Sequence, residues 1–199
     1  MTARPGKIVM ASGNAGKIRE LAQLLEDLGI EVVAQSEFGV DDADETGTTF
    51  RENSLIKAQH ACDITGLPAI ADDSGLSVDA LDGAPGVYSA RYSGIDADDA
   101  SNNEKLLAEL ESHEDRGAAF HCVATFVEPG GKALVAAGEW RGEILRQPRG
   151  EGGFGYDPLF YVTDCDRSSA ELGADEKNAR SHRGQALRAL VALIEQRYS

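Results

Sequence analysis

Apolar positions along this chain alternate between short continuous runs and helical spacing. "KIVMA" (7–11) has the length and β-branched content of a buried strand, and the Gly-Asn stretch "SGNAGK" (12–17) punctuates it. From Lys17 to Leu28, Ile18, Leu21, Leu24, Leu25 and Leu28 recur every three or four residues, predicting an amphipathic helix closed by Gly29. "IEVVA" (30–34) reads as a second strand. In "TTFRENSLIKAQHACDITG" (48–66), Thr49 and Glu52 form a capping-box pair that opens another helix, ending near Gly66. "LPAIA" (67–71) is a short strand running into a tight turn at Ser74 and Gly75, and "LSVDAL" (76–81) is a further strand.

After the Gly/Pro-rich loop "GAPGVYSARYSG" (83–94), Asn103 to Leu110 has helical spacing. "AAFHCVATFVE" (118–128) and "ALVAAGEW" (133–140) flank "PGGK", a hairpin signal. "RGEGGFGYDPLFYV" (149–162) is a flexible glycine-rich loop entering a strand, and "SHRGQALRALVALIEQRY" (181–198) is a C-terminal amphipathic helix. Early alternation of strands and helices, interrupted by a hairpin, predicts an α/β fold with a mixed sheet. No repeat or linker divides the chain, so one unit with a smaller lobe is expected.

At 199 residues with 42% hydrophobic content, the chain can bury a substantial core. No apolar stretch is long enough for a signal peptide or a membrane span, which points to a cytoplasmic protein with no membrane partner. Cys62, Cys122 and Cys165 are odd in number and far apart, as expected of reduced, mostly buried thiols. A formal net charge of −15 excludes a general nucleic-acid binder, which needs a basic face. It leaves room for a small polyanion, because a local cluster with a metal ion can reverse the field. The run Asp96–Asp99 reads as solvated surface.

Candidate chemistry sits at the punctuation. "ASGNAGKI" departs from the Walker pattern at both ends, with Ala11 at the first glycine position and Ile18 after Lys17. What remains is either a phosphate cradle, built from backbone donors at a helix N-terminus and one cation, or a plain strand-to-helix turn. Asp72 and Asp73 stand at the expected C-terminal end of a strand, where α/β folds place ligands. Asp73 is there either a magnesium-binding carboxylate or an Asx-type cap. Glu45 either shares that metal or complements a helix dipole, and Lys57 is expected to face solvent. Phe154 and Tyr156 are either a stacking platform or loop anchors. Lys177, His182 and Arg183, at the entrance to the last helix, suit phosphate or a base edge; the helix dipole there disfavours cations, which hints at function.

The blocks "SGNAGK", "ETGTTFRENSLIKA", "ADDSGL", "GAPGVYSARYSG", "GGFGYDPLF" and "EKNARSHRGQAL", in this order and over nearly the whole chain, resemble the inosine triphosphate pyrophosphatase family. The resemblance implies an elongated α/β fold around a long mixed sheet, a homodimer, and Mg2+-dependent hydrolysis of non-standard purine nucleoside triphosphates (ITP, dITP, XTP) to monophosphate and pyrophosphate. By motif position it implies that Ser12, Gly13, Asn14, Ala15, Gly16, Lys17 and Ser74 bind the triphosphate. Phe154, Gly155, Tyr156, Asp157, Lys177, His182 and Arg183 would line the nucleotide pocket. Asp73 would be proton acceptor and metal ligand, with Glu45, or Asp44, as the other ligand. Ser12 stands where many relatives have Thr, which keeps the hydroxyl. Asp44 stands where a second Glu is common, which shortens its reach.

Overall fold

The computed structural model describes residues 4–199. Seven strands form one mixed sheet: β1 (Lys7–Met10), β2 (Glu31–Ala34), β3 (Ala69–Val78), β4 (Gly117–Val127), β5 (Leu134–Ile144), β6 (Phe160–Val162) and β7 (Arg167–Ser168). Their order is β2-β1-β3-β4-β5-β6-β7. Five α-helices accompany them: α1 (Ala15–Leu25), α2 (Phe50–Thr65), α3 (Asp99–Glu109), α4 (Ala174–Arg180) and α5 (His182–Tyr198). This is the α/β class with a mixed sheet that the patterning predicts. Among the described residues, no helix is long and apolar enough to cross a membrane.

Contacts divide the chain into two compact units, with boundaries inside β3, β4 and β5 rather than in linkers. The first comprises residues up to Asp73, Cys122–Gly138 and Arg183–Ser199. Here β1 runs parallel to β2 and to β3, with Met10 opposite Ile70 as the last pair on the β3 side. Side chains of a strand alternate between faces, so Ile8, Met10 and Ile70 pack with Leu21 and Leu25 of α1 and Leu187, Leu190 and Ile194 of α5. Val9, Ala11, Ala69 and Ala71 point the other way and pack with Ala58, Ala61 and Cys62 of α2.

The second unit comprises Ser74–His121 and Glu139–His182. Its core joins Leu76 and Val78, Leu106 and Leu110 of α3, and Phe120, Trp140, Ile144, Leu159 and Phe160. α4 and β7 are elements the sequence patterning did not predict.

Two helix starts follow their capping signals. Thr49 Oγ1 accepts from the Glu52 amide at 3.1 Å and Glu52 Oε2 accepts from the Thr49 amide at 3.0 Å, the complete capping box; Gly66 closes α2 at φ 67°. α1 begins at Ala15 rather than Lys17, because the Asn14 carboxamide caps it. Its last turn, Glu26–Leu28, tightens to a 3-10 helix ahead of Gly29.

One expectation fails. Ser74 and Gly75 form no tight turn; β3 runs unbroken from Ala69 to Val78. Asp-Ser-Gly composition favours turns, but here it continues a strand already set in the interior of the sheet, between β1 and β4 in the strand order. All three cysteines are unbridged; Cys62 and Cys122 are buried and Cys165 is half-buried.

Candidate active site

In the first unit the site arises where β1 stops short of β3. Beyond Met10 the chain leaves the sheet, while β3 continues through Asp72 and Asp73. The space past the end of β1 is a cavity of about 210 Å³ lined by Ser12, Gly13, Lys17, Glu45, Lys57 and Asp72, together with Gln35 and Asp42. Asp72 and Asp73 are successive strand residues and project to opposite faces of the sheet. Each finds its own cation.

Asp72, 2% exposed, lies on the α1/α5 face. Its Oδ2 accepts from Lys17 Nζ at 2.9 Å and from Arg183 Nε at 3.2 Å. Burial pushes this carboxyl up, but the Lys17 and Arg183 charges outweigh it and hold Asp72 well below the usual carboxylate range. Asp73 lies on the α2 face. Lys57 Nζ reaches Asp73 Oδ1 at 3.0 Å and Glu45 Oε1 at 2.9 Å. Burial raises the Asp73 carboxyl, Lys57 opposes, and the net shift is upward, helped by the Glu45 charge. Asp73 Oδ2 is buried and accepts no hydrogen bond among the described residues. The Asn53 side chain favours the ionised form but falls short of bonding geometry.

Lys57 therefore does not face solvent as expected: only 15% of its side chain is exposed. The signal was its spacing, since Asn53, Ser54 and Ala61, at i−4, i−3 and i+4, are all on the buried face of α2. Gln35 and Asp42, joined by a 2.5 Å Nε2–Oδ1 bond, are cavity residues the sequence reading missed, and no local pattern marks them. Asp44 is exposed and does not line the cavity, whereas Glu45 does.

The "SGNAGK" turn is partly committed to its own helix. Asn14 Oδ1 accepts from the amides of Gly16 and Lys17 at 2.8 and 3.2 Å, and Ser12 Oγ accepts from the Asn14 amide at 3.1 Å. The Gly13 and Ala15 amides take no part in these bonds. The first turn of α1 holds no acid, which suits an anion at the positive end of the dipole. Lys17 sits against that dipole, offset by its bond to Asp72.

The second unit holds its own cluster. The glycine loop expected to be flexible is pinned: Asp157 Oδ2 accepts from the Phe154 amide at 2.8 Å and from Lys177 Nζ, and Oδ1 accepts from Ser169 at 2.9 Å. The Gly155 amide donates to Asp99 at 2.6 Å and its carbonyl accepts from Asn103 at 2.9 Å, so Asp99 is more than solvated surface. Tyr156 is buried, its hydroxyl donating to the Ser89 carbonyl at 2.8 Å, the anchoring alternative. Phe154 is 58% exposed, with Lys177 Nζ 4.9 Å from its ring centre, and keeps the character of a stacking platform.

Lys177 belongs to the last turn of α4, where the dipole favours a cation, so the expected conflict does not arise there. His182 is buried and stacks on Phe120 at 4.8 Å and 14°. Ser74 is half-buried in mid-β3.

Comparison with known proteins identifies relatives over nearly the whole chain. The dITP/XTP pyrophosphatase of Yersinia pseudotuberculosis is 58% identical over 189 residues, covering 93% of this chain and 96% of that protein. The dITP/XTP pyrophosphatase of Escherichia coli K12 is 55% identical over the same length and shares of each chain. The solved structure of a HAM1 protein from Coxiella burnetii superposes with a TM-score of 0.92 at 52% identity, covering 96% of this chain and 98% of that one. The Ham1 family model matches residues 8–193, and the chain belongs to the Ham1 family.

Proposed function

We propose that this protein hydrolyses non-standard purine nucleoside triphosphates, dITP, XTP and ITP, to the monophosphate and pyrophosphate. The observation that carries the reading is the cavity past the end of β1, where Lys17 and the N-terminus of α1 meet the carboxylates of Asp72 and Glu45. The dITP/XTP pyrophosphatases at 55–58% identity support the substrate class.

The donor set fits Mg2+, which takes hard oxygen ligands from one or two carboxylates and keeps waters and phosphate oxygens for the rest. Glu45 and Asp73 already converge on one cation, Lys57, and Asp73 Oδ2 is buried with no hydrogen-bond donor. Among the described residues no three His, Cys, Asp or Glu side chains are grouped to hold a metal ion. When bound by Glu45 and Asp73, Mg2+ neutralises charge on the phosphates.

The chain's own residues do the rest. Lys17 and the N-terminal turn of α1 hold the phosphate tail. Asp73 takes the proton of the attacking water. Attack in line at the α-phosphorus then expels pyrophosphate. Phe154, exposed on the loop pinned by Asp157, is the stacking candidate of the second unit, and its replacement by Ala should raise KM. A homodimer belongs to the same reading and is checked by light scattering.

The test is a panel of nucleoside triphosphates assayed with Mg2+ and with chelator, scoring pyrophosphate against orthophosphate. Pyrophosphate from dITP and XTP, with little turnover of ATP, is expected. Orthophosphate as the first product would overturn the assignment.

A further inference from the structure

Lys57 occupies the position a divalent cation needs. Its ammonium lies 2.9 Å from Glu45 Oε1 and 3.0 Å from Asp73 Oδ1, so both oxygens are held at ammonium distance around one centre. Mg2+ draws carboxylate oxygens to about 2.0–2.1 Å, so an ion held by this pair would sit close to the ammonium and be repelled by its charge. The lysine is built in rather than incidental. Its stem leaves the buried face of α2 between Asn53, Ser54 and Ala61, and its side chain is only 15% exposed, against 12% for Asp73 and 31% for Glu45. Lys57 also lines the same cavity as Lys17.

We propose that Lys57 is an internal counter-ion for Glu45 and Asp73 that competes by charge with a divalent cation at the same pair. The inference rests on the reading that Glu45 and Asp73 hold the metal. Two consequences follow from charge alone. With Lys57 in place the pair is not left as two uncompensated acids, which stabilises the fold around it. The same contact weakens metal binding, because Mg2+ has to bind beside an ammonium that already neutralises part of the pair's charge.

Calorimetric titration of Mg2+ into the full chain, with no nucleotide, tests this. Lys57→Met removes the competing charge and keeps the stem; Lys57→Gln is a second neutral variant should the first fold poorly. Both should bind Mg2+ at least about tenfold more tightly than wild type, since one positive charge next to the site is gone. Both should melt lower in chelator and gain more in Tm from added Mg2+ than wild type does. Lys57→Arg, which keeps the charge, should bind like wild type, and adding Asp73→Asn to Lys57→Met should cancel the gain. Equal or weaker Mg2+ affinity in the neutral variants, no binding by any of them, or a gain that survives Asp73→Asn would each overturn the proposal. None of these readouts involves turnover, so they stand apart from the nucleotide panel that tests the reaction.

Discussion

The buried triad of Lys17, Asp72 and Arg183 makes a quantitative forecast. In Asp72→Asn the shape is kept and one negative charge is lost between two cations at 2.9 and 3.2 Å. At an effective dielectric of about 20, each contact is worth roughly 5–6 kcal/mol of Coulomb attraction. Most of that is returned as the carboxylate's own desolvation cost. What remains is the penalty for breaking a buried pair, about 3–5 kcal/mol. For a chain of this size that lowers Tm by about 6–20 °C.

Urea unfolding and calorimetry of wild type and Asp72→Asn measure it directly. Adding Arg183→Met to Asp72→Asn removes one of the two cations that faced the lost charge and should recover part of the loss, a non-additive result. The pH dependence has a definite sign. A carboxyl held below its unfolded value contributes stability above the unfolded pKa and loses it as pH falls further. The wild-type advantage should therefore be level from pH 7 down to about 5 and shrink only below about pH 4. A loss under about 1 kcal/mol at pH 7, the size of a surface pair, would refute the reasoning.

Asp73→Asn should cost at least about a hundredfold in kcat, since it removes the proposed base, while moving Tm far less than Asp72→Asn does; near-native turnover would remove Asp73 from the mechanism. Thr49→Ala breaks the capping box of α2 and should cost about 1 kcal/mol, or about 2–4 °C in Tm, with the nucleotide preference unchanged. Gly153→Ala places a Cβ 2.1 Å from Asp157 Oδ2 at φ 76° and should release the pinned loop, seen as faster amide exchange at residues 153–157. Native-like protection there would show that the loop does not depend on Asp157.

Local codes carried a large share of the fold. The Thr49/Glu52 box, Gly29 and Gly66 as helix ends, the "PGGK" hairpin and the strand "KIVM" all read directly, because each is decided by neighbours within about four residues. The motif blocks also marked Ser12, Gly13, Lys17 and Glu45, which share one cavity. Packing decided the rest. "DDSG" has the composition of a turn, yet it stays extended as the continuation of an interior strand, and that extension sends Asp72 and Asp73 to opposite faces. Lys17 is 55 residues from Asp72 in sequence and Arg183 is 111, so no window along the chain could reveal that two cations share one carboxylate oxygen. Lys57 read as a surface lysine because charge predicts solvent; only the acids on separate segments, brought to it by the sheet, make its burial affordable.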